Sequence, residues 1–96
     1  MAEGSLKLTV GSMHFVYILK SEKDRNLYIG CTGDLHNRLR LHQSGKVLST
    51  KSRLPVRLIY SEEYIDKYSA YKMEGFYKTA VGKRALKKKI KNWGIV

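Results

Sequence analysis

Ninety-six residues, 43% of them hydrophobic, can form one modest core and leave no chain for a second domain. Nineteen Lys and Arg against eight Asp and Glu leave a net charge of +11, which points to a polyanionic partner, because cations that neutralise phosphates release condensed counterions. A lone cysteine, Cys31, excludes an internal disulfide and a cysteine-rich metal site, and no apolar run approaches the roughly 18–20 residues that span a bilayer, so a cytoplasmic protein without a membrane partner is expected.

Residues 1–12 (MAEGSLKLTVGS) are small, loosely patterned and end in Gly-Ser before Met13. They read as an expression tag or a disordered segment, which leaves residues 13–96 as the domain. The run MHFVYIL (13–19) is apolar, β-branched and aromatic, the signature of a buried strand. A short polar link with Asp24-Arg25-Asn26 leads to LYIGC (27–31), so the two strands form a hairpin. Gly30 interrupts the second strand and marks a bulge or a close approach by another group. Asp34 is an N-cap for a helix to about Gln43, with Leu35 and Leu39 facing the core and Gly45 as its left-handed cap. Residues 46–55 form a basic loop, and VRLIY (56–60) alternates as a third strand that continues weakly towards Tyr64. Asp66 caps a second helix from Lys67 to about Thr79, with Ala70, Met73 and Tyr77 on one face. Gly82 is expected to break it before a very basic third helix, KRALKKKIK (83–91), with Trp93 packing the final segment. The order β-β-α-β-α-α implies an α+β fold, with a three-stranded, mostly antiparallel sheet flanked by helices.

Three features carry potential chemistry. Tyr17 and Tyr28 lie on paired strands and can share a face, where a phenol can orient a water or exchange a proton; half-buried packing is the ordinary alternative. Arg38 and His42 lie four apart on one helix face. The guanidinium fork suits phosphate and the imidazole can carry a proton, although a basic helix face is often merely solvated. Glu74 sits beside the apolar face of its helix, either paired with Lys78 at i+4 or available to Mg²⁺, which takes one or two carboxylates and completes its shell with water and phosphate. His14 and His36 read as surface or packing residues.

Taken together, these residues resemble the GIY-YIG nucleases. Phe15-Val16-Tyr17 stands at the first element of that pattern and Tyr28-Ile29-Gly30 reproduces the second. Ten residues separate the two tyrosines, an arginine follows Gly30 by eight, and a helical glutamate comes late. The resemblance runs over residues 14–91 and is nearest to the small stand-alone bacterial members, which are related to the N-terminal nuclease domain of the excision-repair protein UvrC. The loop TKSRLP (50–55) followed by Leu58-Ile59-Tyr60 is similar to that group in particular. Two departures stand out: Phe15 and Val16 replace the namesake Gly and Ile, and Cys31 stands where some members carry a lysine that assists the tyrosine.

The resemblance implies a metal-dependent DNA endonuclease, structure-specific and acting in repair or recombination, on branched, nicked or single-stranded DNA, with room for a protein partner. It implies that Tyr17 and Tyr28 position and deprotonate the attacking water. It further implies that Arg38 stabilises phosphoryl charge, that His42 assists proton transfer, and that Glu74 is the only protein ligand to Mg²⁺ or Mn²⁺. Gly30 would let the substrate or the Arg38 helix approach the strand. Lys46, Lys51, Arg53, Lys83, Arg84, Lys87 and Lys88 are the candidates for contacts to the DNA backbone. The rival reading is a nucleic-acid-binding module of the same fold without independent catalysis. Glu74 favours the enzyme, since a carboxylate facing phosphate repels it unless a cation intervenes.

Overall fold

A computed structural model describes residues 13–92; the segment read as a tag and Trp93 lie outside the described residues. Its elements are β1 (His14–Ser21), β2 (Leu27–Thr32), α1 (Leu35–Gln43), α2 (Leu48–Lys51), β3 (Val56–Tyr64), α3 (Lys67–Tyr77) and α4 (Ala80–Asn92). The strands form one antiparallel sheet in the order β2-β1-β3. The α+β class and the order β-β-α-β-α-α hold, with the single turn α2 added inside the predicted basic loop. No helix among the described residues is long and apolar enough to cross a membrane.

The central position of β1 explains its unbroken apolar run, because a strand covered on both faces has no solvent side. Val16 and Ile18 point to one face, where Ile59 and Tyr60 of β3, Ala70 and Tyr77 of α3, and Leu86 and Ile90 of α4 complete the larger core. Tyr17 and Leu19 point to the other face, against Val56, Leu35 and Leu39. A register shift between Ile18 and Leu19 sets Ile18 opposite Tyr60 and Leu19 opposite Leu58. The extra residue, Ile59, lets two successive side chains of β3 enter the same core, which is what a bulge does.

The helix signals are met locally. The Asp34 carboxylate accepts from Asn37 N–H at 3.1 Å and that of Asp66 from Ser69 N–H at 2.7 Å. Gly45 adopts φ +79°, and Lys46 N–H donates to the Leu41 carbonyl while Gly45 N–H donates to that of His42. This pair of bonds is the Schellman closure that a left-handed residue permits.

One expectation fails. Gly82 does not break the helix: α3 ends at Tyr77, and Gly82 lies in the first turn of α4. The corner forms at Lys78 and Thr79, where the Thr79 hydroxyl accepts from Gly82 N–H at 3.0 Å in the manner of an N-cap. Glycine is needed at 82 for closeness instead of flexibility, because a Cβ there would sit 1.8 Å from the Phe76 carbonyl oxygen.

Candidate active site

On the α1 face of the sheet, Tyr17, Tyr28, Arg38 and His42 converge from β1, β2 and α1. Tyr17 is 1% exposed and its hydroxyl lies 2.9 Å from His42 Nε2. Arg38 Nε donates to the same hydroxyl at 3.4 Å. The Tyr28 ring packs on His42 at 5.0 Å and on Tyr17 at 6.2 Å between centroids. His42 is fully buried, and its Nδ1 lies 2.8 Å from Thr50 Oγ1, which faces the Val47 carbonyl.

Arginine only donates, so the Tyr17 hydroxyl accepts from Arg38 and keeps one proton, for which His42 Nε2 and Tyr28 are both partners. The His42 ring bridges Tyr17 and Thr50 in either tautomer, one ring nitrogen donating and the other accepting. The electrostatics agree. Burial first, then the Arg38 charge, lowers the affinity of His42 for a second proton. Burial pushes the Tyr17 phenol up to about 12, against the opposing pull of Arg38. Tyr17 is thus held towards its neutral phenol form, bonded to Arg38 and His42. Tyr28 is only half-buried and borders an open hollow with Lys78 and Lys83.

Gly30 is opposite Tyr17 in the β1–β2 register. A Cβ on Gly30 would lie 2.4 Å from both the Tyr17 hydroxyl and its ring carbon Cζ. A neighbour that requires glycine here is therefore the Tyr17 ring, folded across β2, in addition to the substrate or Arg38 helix that the resemblance implies.

Glu74 arrives from the opposite side. It lies on α3, over the other face of the sheet, and its side chain is 24% exposed, paired with Lys78 at 3.4 Å. No hydrogen bond or ion pair among the described residues joins it to the Tyr17 cluster. The link is the sheet edge. β2 is an edge strand, Lys78 shares the hollow of Tyr28, and the Glu74 charge helps burial raise the Cys31 thiol on β2 to about 11. The shift favours the thiol form of Cys31. Among the described residues no three His, Cys, Asp or Glu side chains gather as a metal site. Glu74 fits a hard cation that brings its own water and phosphate ligands, since one half-exposed carboxylate with an exposed ion-pair partner is enough for it.

The basic candidates divide. Lys46, Lys51, Arg84 and Lys88 are exposed. Arg53 is half-buried and spends its guanidinium on Asp24 at 3.4 Å and the Leu27 carbonyl at 3.5 Å. Lys83 and Lys87 border a hollow of about 470 Å³ together with Arg53. His14 packs edge-on to Tyr71, and His36 is exposed.

Sequence reasoning missed a second polar cluster, around Glu62. Tyr60, Tyr64 and Tyr77 all donate to its carboxylate, and Lys89 adds an ion pair at 3.1 Å. Burial alone would raise the Glu62 pKa; the three phenols and Lys89 together outweigh it and lower it. The alternating tyrosines of β3 were the only signal, and nothing local showed that Tyr77 and Lys89 would join them. A depressed folded-state pKa means that the unfolded chain binds the proton more tightly, so stability is present above about pH 4.5 and drains away as pH falls through the folded value. Glu62→Gln is expected to lower stability at pH 7 by about 1–3 kcal/mol and to flatten the acid limb of a urea-denaturation series. An acid limb unchanged in the variant would reject this assignment.

The chain matches the GIY-YIG catalytic domain over residues 13–90. It is 40% identical over 72 residues to the UPF0213 protein YazA of Bacillus subtilis, covering 74% of this chain and 72% of that one. A UPF0213 protein of Lactococcus lactis is 41% identical over 80 residues, covering 82% and 81%. One from Staphylococcus epidermidis is 43% identical over 75 residues, covering 77% and 90%. The solution structure of a UPF0213 protein of Bacillus halodurans is 33% identical and superposes with a TM-score of 0.51, covering 79% of this chain and 83% of that one.

Proposed function

Because this chain belongs to the GIY-YIG catalytic-domain family, we propose that it is a divalent-metal-dependent endonuclease that hydrolyses DNA phosphodiester bonds, with structured or lesion-bearing DNA of repair or recombination as its substrate. The observation that carries this reading is the convergence of Tyr17, Tyr28, Arg38 and His42 from three separate elements, joined by the hydrogen-bonded chain Arg38–Tyr17–His42–Thr50. A structural core has no need to bury a histidine between two hydroxyls and a guanidinium.

The roles of the two tyrosines differ. Tyr17 is sealed from solvent and bonded to both, so it acts as a positioning residue that fixes Arg38 and His42. Tyr28 is half-buried, packs beside Tyr17 and bonds to Arg38, so it is the more accessible phenol and the one that meets the attacking water. A free phenol titrates near 10, so proton transfer to Tyr28 needs a cationic surrounding. Arg38, which bonds to Tyr28, supplies that field in place of the lysine that some members carry where this chain has Cys31. Arg38, held in place by the Tyr17 hydroxyl, is preorganised for charge on the phosphoryl oxygens. His42 touches Tyr17 and no open surface, so it acts through that residue. Glu74 would hold Mg²⁺ or Mn²⁺. Such an ion polarises a phosphoryl oxygen and stabilises the leaving oxygen.

The test is cleavage of branched, nicked, single-stranded and plain duplex DNA with Mg²⁺ or Mn²⁺ against EDTA, for wild type and Tyr28→Phe. Metal-dependent cutting that falls by roughly 10²–10⁴-fold in Tyr28→Phe, the range of general acid–base catalysis, is the expected result. Tight binding with no cutting of any substrate would instead establish a nucleic-acid-binding module.

A further inference from the structure

The turn α2 has no local reason to form. Its N-cap, Val47, makes no side-chain capping bond, and its large apolar residue, Leu48, is 88% exposed. Leu48, Ser49 and Lys51 all face solvent, whereas Thr50 is fully buried. What the turn places inside the protein is a hydroxyl, and burying a hydroxyl is costly unless it is bonded. Thr50 Oγ1 lies 2.8 Å from His42 Nδ1 and 3.5 Å from the Val47 carbonyl. A valine would cover the ring equally well, so the hydroxyl answers a need of the histidine.

The segment that carries Thr50 is fixed at both ends. Val47 is buried, and Lys46 N–H closes α1 on the Leu41 carbonyl. At the other end, the buried Ser21 hydroxyl of β1 donates to the Arg53 carbonyl at 2.6 Å. Glu22 N–H donates to the Pro55 carbonyl at 2.8 Å. The strand that carries Tyr17 thus also holds Thr50 against His42.

Both tautomers of His42 satisfy its two bonds, but the surroundings are not symmetric. Nε2 faces the Tyr17 hydroxyl, which already accepts from Arg38. The guanidinium is near enough to oppose a second proton on the ring. A neutral imidazole beside a cation is favoured with its bare nitrogen towards the charge and its N–H away. Nδ1 faces Thr50, whose own proton has the Val47 carbonyl as an acceptor. We propose that Thr50 is a positioning residue of the site: it accepts from Nδ1–H and so holds His42 in the tautomer whose Nε2 receives the Tyr17 proton. With that proton committed to His42, the oxygen lone pairs of Tyr17 turn to Arg38 and keep the guanidinium in one place. The tautomer is independent of any reaction; its effect on cleavage rests on the nuclease reading.

The test is long-range proton–nitrogen correlation NMR of the imidazoles in wild type, Thr50→Val and Thr50→Ser, at a pH where histidine is neutral. Ring-proton NOEs to Tyr17 and Tyr28 identify His42. Wild type is expected to carry the His42 proton on Nδ1, and Thr50→Ser, which keeps the hydroxyl, to preserve that state. Thr50→Val leaves Nδ1–H without an acceptor, so the ring should change to the Nε2–H form. Cleavage of the DNA that wild type cuts should divide in the same way. Thr50→Val should lower kcat by about 10–100-fold with little change in KM, and Thr50→Ser should stay within about threefold of wild type. Matching melting curves separate this from loss of fold, and if valine unfolds the chain the wild-type tautomer still decides. A wild-type His42 protonated at Nε2, a Thr50→Val protein that keeps Nδ1–H, or equal kinetic losses in both variants would overturn the proposal. A protein that shows the tautomer change yet cuts no DNA retains the role of Thr50 and loses the nuclease reading. One that cuts DNA without the tautomer change retains the nuclease reading and loses the role of Thr50.

Discussion

Glu74→Gln is expected to lower metal-dependent cleavage by at least about a hundredfold, the scale on which a single preorganised electrostatic group acts in a site, while DNA affinity stays level or rises. Glutamine keeps the shape and the acceptor oxygen of Glu74 but removes the charge that a hard cation needs. The fold has little stake in the change. The Glu74–Lys78 pair is an exposed i,i+4 contact at 3.4 Å, the kind worth only about 0.3–0.5 kcal/mol. Affinity should not suffer, because the substitution removes a carboxylate that repels phosphate. Single-turnover cleavage measured beside anisotropy separates the two effects. Cleavage within threefold of wild type would remove Glu74 from the metal's coordination and with it the core of the proposed mechanism.

Gly82→Ala should be among the most destabilising single changes available to the chain. The added Cβ would lie 1.8 Å from the Phe76 carbonyl oxygen and 2.5 Å from its carbon. Both are backbone atoms, so no rotamer change relieves the overlap, and the α3–α4 corner must open. Overpacking of this kind costs about 3 kcal/mol at the upper end of its usual range, or roughly 12–24 °C in melting temperature for a domain of this size. Because α3 carries Glu74 and Lys78 follows at its C-cap, cleavage should fall as well, even at temperatures where the variant remains folded. A melting temperature within a degree of wild type would show that the corner is slack. Gly75 is the internal control: nothing lies within 4 Å of a Cβ there, and alanine should be neutral or slightly stabilising in that exposed helical position.

Much of the architecture was legible residue by residue. The β1 run announced a strand buried on both faces, the Asp34 and Asp66 caps announced their helices, and Gly45 announced a left-handed closure. In each case the cause is local: alternation, a side-chain acceptor three residues from an orphan N–H, or a missing Cβ. The short turn α2 was not legible, because LSTK has no cap and no apolar periodicity of its own. It exists where it buries Thr50 against His42.

The chemistry divides along the same line. By itself the sequence determined which residue types were present and in what order, and hence the family, because a pattern of tyrosine, glycine, arginine and glutamate at set spacings is a property of the chain alone. Only the tertiary structure decided what those residues do to one another. It buried Tyr17 fully, its ring lying over Gly30, and left Tyr28 half-buried beside it on the same face. It put Glu74 on the opposite face of the sheet from Tyr17, beside Cys31 of β2. It gathered Glu62, Tyr77 and Lys89. Those contacts depend on distances between segments far apart in the chain, and such distances are set by how helices pack on a twisted sheet, which no local pattern encodes.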